Sequence, residues 1–123
     1  MHRIGMIVIA VVAVALLPCA ALAHRRATKA ERTAVRAAVV RQGQLSKPQA
    51  ACQVVTISTV NQSFAALTWP PKLSRPCQRV AANGVIIEHR TRGAWRFVTV
   101  GSAFHCPVKG VPTRVARDLG ICF

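Results

Sequence analysis

Apolar residues are spaced in three different ways along this chain. From Ile4 to Leu17 they form an almost unbroken run of Ile, Val, Ala, Met and Leu. Between Thr28 and Gln42 they recur at helical spacing, with Ala34, Val35, Ala38 and Val39 on one side and Lys29, Arg32 and Arg36 on another. From Cys52 onward short runs rich in Val, Ile, Thr and aromatic residues alternate with turn residues, a strand signature. The pattern predicts a helix over 28–42 and strands over 52–60, 64–69, 85–90 and 94–101.

Punctuating residues sharpen these bounds. Thr28-Lys29-Ala30-Glu31 has the form of a capping box, and Gly43 supplies a helix stop. Residues 44–51, with Pro48, read as a polar linker. Asn61-Gln62-Ser63 reads as a turn, Pro70-Pro71 ends the second strand, and 72–78 reads as irregular, with Pro76 beside Cys77. Asn83-Gly84 and Thr91-Arg92-Gly93 are turn signals on either side of the third strand. In the last strand Trp95, Phe97 and Thr99 share one face, the better core candidate. Pro112 opens a short helix to Leu119, stopped by Gly120, in which Arg114 and Asp118 are spaced to pair at i, i+4. No βαβ alternation or internal repeat occurs. The expected fold is a two-layer α+β domain: an N-terminal helix on a four-stranded antiparallel sheet, a short C-terminal helix, and two disulfides.

The first apolar run carries a different meaning. It is about 14 residues long, against the roughly 20 needed to span a bilayer. It follows the basic start Met1-His2-Arg3 and leads to Ala21-Leu22-Ala23, a small-x-small cleavage site, and then His24-Arg25-Arg26. Residues 1–23 therefore read as a secretory signal peptide, and 24–123 as one secreted or extracytoplasmic domain with no membrane span after cleavage. A retained anchor and lipidation at Cys19 are the alternatives. Pro18, rather than a small residue, precedes that cysteine.

Cys52, Cys77, Cys106 and Cys122 remain in the exported part. An even number in a short exported domain implies two disulfides. Three pairings are possible, and stapling neighbouring segments favours Cys52–Cys77 with Cys106–Cys122. No C-x-x-C occurs, and His105-Cys106 lacks metal-ligand spacing, so no metal or cofactor is expected.

Charge narrows the partners. Removing Arg3 from the 17 basic residues, and none of the three acids, leaves a formal +13 on residues 24–123. Such an excess favours salt-sensitive attraction to polyanions. Aromatic residues for base stacking are few, which argues against sequence-specific nucleic-acid recognition. The Arg-over-Lys and Ala-rich bias also matches what GC-rich coding produces without selection for binding.

The segments Ser58-Thr59-Val60, Gly93-Ala94-Trp95-Arg96-Phe97-Val98, Gly101-Ser102-Ala103-Phe104-His105-Cys106-Pro107 and 112–122 resemble a group of small exported bacterial proteins of unassigned function with a four-cysteine pattern. The resemblance implies a shared fold and brings no activity. The element order is also similar to cystatin-like folds, at fold level only.

Chemistry is thinly supplied. Glu31 is expected as a helix cap and Asp118 as a surface pair. Glu88 and His89 are adjacent in a strand and so point to opposite faces, with His89 read as an exposed strand residue. Ser102 and His105 have no Gly-x-Ser-x-Gly elbow and no evident orienting acid. The leading expectation is a non-catalytic cationic binding module using Lys29, Arg32, Arg36, Arg90, Arg92 and Arg96. Its partner would be an anionic envelope polymer or another extracytoplasmic protein. The rivals are a secreted hydrolase using Ser102, His105 or Glu88, and a protease inhibitor presenting Lys72 and Arg75 from the stiff 69–77 loop.

Overall fold

The computed structural model of the protein describes residues 24–122; the expected leader, with Cys19, lies outside them. A five-stranded antiparallel sheet runs in chain order: β1 (His24–Arg26), β2 (Val54–Ser58), β3 (Phe64–Thr68), β4 (Val85–Thr91) and β5 (Ala94–Gly101). Among the described residues four helices accompany it: α1 (Lys29–Arg41), α2 (Lys47–Cys52), α3 (Arg75–Val80) and α4 (Thr113–Asp118). The expected four-strand, two-layer arrangement is thus corrected to five strands, four helices and a sheet covered on both faces.

Each difference has a physical cause. β1 is three polar residues with no alternation to read; it exists because it pairs with β2, His24 opposite Ser58 and Arg26 opposite Thr56. α2 and α3 replace the expected linker and irregular segment. Both open with Ser-basic-Pro, at Ser46-Lys47-Pro48 and Ser74-Arg75-Pro76. Proline is compatible with a first helical turn, whose N–H groups have no partner within the helix. Ser46 also forms a full capping box with Gln49.

α1 begins as the sequence predicts. The Glu31 N–H donates to Thr28 Oγ1 at 3.2 Å, and the Thr28 N–H donates to Glu31 Oε1 at 2.9 Å. Val35, Ala38 and Val39 face the sheet and pack with Ile57, Leu67, Ile86 and Trp95. On the opposite face α4 and the C-terminal segment bring Val115, Ala116 and Leu119 onto Phe64, Ala66 and Ile87. β3 lies in mid-sheet, so Phe64–Leu67 is buried throughout and feeds both cores alternately.

β5 departs from simple alternation. Glu88 stands opposite Phe97 and Ile87 opposite Thr99, so Val98 is an extra residue in a β-bulge. The expected Trp95, Phe97 and Thr99 face is split by it. Trp95 enters the core under α1, Phe97 is 39% exposed, and Val98 packs on the opposite core. The β4–β5 hairpin turns on Arg92 and Gly93, both at positive φ, +52° and +77°.

The disulfides join Cys52 to Cys77 and Cys106 to Cys122. The first ties the end of α2 to α3, and the second ties the chain beyond α4 to the segment after β5. They suit an oxidising, extracytoplasmic setting. Among the described residues no helix is long and apolar enough to cross a membrane.

Candidate functional site

All three acidic side chains, Glu31, Glu88 and Asp118, are engaged or enclosed, and that governs the electrostatics of the described surface. Glu31 accepts two bonds from Arg25, at 2.7 and 2.8 Å. This bidentate pair is the main reason its carboxyl is held down at about 2. Asp118 does not make the expected surface pair with Arg114. It is buried at the end of β2, where its Oδ2 accepts from Ser58 Oγ (2.7 Å) and the Thr59 N–H (2.7 Å), and its Oδ1 from Thr59 Oγ1 (2.9 Å). Burial raises its pKa, but these bonds together outweigh it and the carboxyl ends below its ordinary value.

Glu88 is fully buried in β4, and neither of its oxygens has a hydrogen-bond partner. Burial pushes its carboxyl up to about 7. The Gln42 side chain and the charge of Arg41 oppose part of that rise. Gln42 lies near without meeting hydrogen-bond geometry: its amide donates to the Trp95 carbonyl at 3.2 Å, and its Oε1 is buried and unpartnered.

The cations of α1 thus have two carboxyl groups near them: Glu31, which Arg25 already holds, and the enclosed Glu88, on which the charge of Arg41 acts. Arg32 and Arg36, one helical turn apart, converge with Arg26 of β1 on a cleft of about 240 Å³ beside Gln53 and Val54. Arg36 donates to the Gln53 carbonyl at 2.7 Å, while its buried Nε has no partner. Burial, then the neighbouring charge of Arg32, lowers the pKa of Arg36. Three arginines line one cleft, a setting that favours an incoming anion.

The other expected cations lie elsewhere. Arg96 and Arg41 border a second cleft, of about 390 Å³, with Trp95 and Phe97. Arg96 Nε donates to Thr91 Oγ1 at 2.8 Å, and the Arg90 guanidinium lies 5.7 Å from the Trp95 ring centre. Lys29 and Arg92 are exposed and line neither cleft. Sequence reasoning missed Arg26 and Arg41. Arg26 is brought in by a strand with no sequence signature. Arg41 falls outside the Lys29, Arg32 and Arg36 stripe, although its spacing from Ala37 was there to read.

The hydrolase residues are not assembled into one site. Ser102 and His105 are exposed in the segment after β5, Glu88 is enclosed within the sheet, and no hydrogen bond links any two of them. A different serine and histidine do meet. His89 Nε2 lies 3.1 Å from Ser63 Oγ. Ser63 Oγ donates to Asn61 Oδ1 at the shorter distance of 2.7 Å, so the imidazole serves as donor there and not as a base. His89 is also half-buried rather than exposed, its ring stacked on Phe64 at 4.0 Å. Lys72 is exposed, but Arg75 is the first residue of α3, which shortens the expected inhibitory loop. Among the described residues no group of three or more His, Cys, Asp or Glu is placed to hold a metal ion.

Comparison with known protein families, with characterised proteins and with solved structures returns no match.

Proposed function

We propose that this is an exported, non-catalytic module that binds an anionic envelope polymer through the basic surface around α1, in the cleft of Arg26, Arg32 and Arg36. The observation that carries the reading is the placement of the acids. Asp118 and Glu88 are buried and Glu31 is closed by Arg25, so the excess of positive charge is left facing solvent. Repeating charge along a polymer suits this better than a single small anion, because the cations extend from Arg26 past Arg36 to Arg41 and Arg96. Export supports the same reading through the leader pattern and the two disulfides. The four-cysteine likeness to small exported bacterial proteins is in keeping with it.

The test is binding of the purified, disulfide-intact protein to inorganic polyphosphate and to dextran sulfate, with neutral dextran as control. Binding should weaken steeply from low to physiological salt, because the attraction is between exposed charges. Failure to bind either polyanion at low salt would refute the proposal. Another extracytoplasmic protein with an acidic face would remain the partner class to test next.

A further inference from the structure

Next to the arginine cleft lies a surface of different character. α1 and α2 pack together and leave an open groove of about 500 Å³. Its floor is Ala37 and Val40 from α1 and Ala50 and Ala51 from α2. The spacing accounts for this: Thr33, Ala37, Val40 and Arg41 fall on one side of α1 at i, i+4, i+7 and i+8. Ala37 and Ala51 are exposed, while Ala50 belongs to the main core and Val40 packs against it. The floor is thus apolar surface continuous with the interior. The remaining lining residues are the neutral Thr33 and the cations Arg36, Arg41 and Lys47, and no carboxylate lines it.

An apolar trough whose charged lining is all cationic complements an anionic head on a single apolar chain. We propose that the α1–α2 groove binds a free medium-chain acyl anion, its carboxylate at Arg41 and Lys47 and its chain over Ala37, Val40 and Ala51. The orientation follows from position. Arg41 and Lys47 sit where the chain turns from α1 into α2; Arg41 feels the enclosed Glu88 only through its charge, and neither side chain makes a hydrogen bond or close ion pair among the described residues, whereas Arg36 is already bonded to Gln53 and Thr33 closes the far end without charge. Thr33 to Arg41 spans about 12 Å along the helix, room for an extended chain of moderate length. The volume falls within the usual range for small-molecule sites. A partner helix about 10 Å across would enter such a groove only partly. The inference is independent of polymer binding, because it relies on chain length rather than on repeated charge.

The test is calorimetric titration of the disulfide-intact protein with octanoate, decanoate, dodecanoate and dodecanol, each below its aggregation limit. Full burial of a methylene is worth about fourfold in affinity, so a groove that covers half the chain should give about fourfold for every two carbons added. Dodecanol should bind at least tenfold more weakly than dodecanoate. Ala37→Trp, which fills the groove from an exposed position, should cost at least tenfold, and Arg41→Gln with Lys47→Gln should remove most of the preference for the carboxylate over the alcohol. Circular dichroism and Tm confirm folding of each variant. A flat chain-length series, an alcohol that binds as tightly as the acid, or a folded Ala37→Trp protein with unchanged affinity would each overturn the proposal. So would an acidic amphipathic peptide that binds where the acyl anions do not.

Discussion

Asp118 of α4 accepts a 2.7 Å hydrogen bond from the hydroxyl of Ser58, buried at the end of β2 and 60 residues earlier in the chain. Ser58 Oγ in turn accepts from the Val60 and Asn61 N–H groups, at 3.2 and 3.1 Å. One carboxylate thereby fixes the β2–β3 turn and docks α4 onto the sheet. The backbone carbonyl of the same residue lies 3.1 Å from His24 Nδ1 and ties the end of α4 to β1.

Asp118→Ala should destabilise the domain by about 3 kcal/mol, because it removes the charged acceptor of the buried Ser58 hydroxyl and the hydrogen bonds that dock α4 on the β2–β3 turn. Asp118→Asn should cost somewhat less. The native carboxyl titrates below its unfolded value, so its stabilisation is present above the unfolded pKa and is lost as pH falls through the folded one. Urea unfolding of wild type and both variants, at neutral and acid pH, checks this. The gap between wild type and Asp118→Asn should narrow in acid.

Glu88 has the opposite sign. Its folded value of about 7 lies above the ordinary 4.5, so between those limits the unfolded chain gives up a proton that the native state keeps. Stability from this group therefore falls as pH rises through that window and levels off above it. The groups around Glu88 are Arg41 at the end of α1, Gln42 just after it, Ala65 of β3 and Phe97 of β5, and none is within hydrogen-bond geometry. Glu88→Gln should raise stability by up to about 3 kcal/mol near pH 8, with little change near pH 4. Thermal melts at the two pH values decide it; an equal shift at both would contradict the assignment.

The disulfides should be fully formed. Alkylation of the native protein without reduction should add no mass, and peptide mapping should recover the Cys52–Cys77 and Cys106–Cys122 pairs. Each closes a loop, with sequence separations of 25 and 16, and should stabilise by about 3 kcal/mol. Replacing Cys106 and Cys122 by Ser should loosen α4 first. Hydrogen exchange should then rise at Val115 to Leu119 before it rises in β3.

Much of the architecture is written in local signals. Thr28 and Glu31 mark the start of α1, Arg92-Gly93 marks the hairpin, and the neighbouring-segment rule leads to both cysteine pairs. What escapes is set by distant partners or by opposed local cues. β1 has no pattern of its own and exists through β2. The bulge at Val98, which separates Trp95 from Thr99, depends on the register against β4. Pro48 and Pro76 suggest breaks, yet each sits in the first turn of a helix where proline is tolerated. The arginine cleft was half legible: Arg32 and Arg36 share a helix face, but Arg26 joins them only through the sheet. Asp118 looked like one half of an i, i+4 pair because nothing in its neighbourhood points to Ser58.

The central claim, a cationic binding surface with no catalytic site, is tested most directly by charge reversal. Titrate polyphosphate at low salt into wild type, Arg26→Glu/Arg32→Glu, and Ser102→Ala/His105→Ala, all checked for folding. Arg36 is left in place because it bonds to Gln53 within the fold. The account predicts that reversing Arg26 and Arg32 weakens binding at least tenfold and flattens its salt dependence, while the Ser102 and His105 variant binds as wild type. Binding unchanged by charge reversal, or polyphosphate breakdown that disappears with Ser102 and His105, would contradict it.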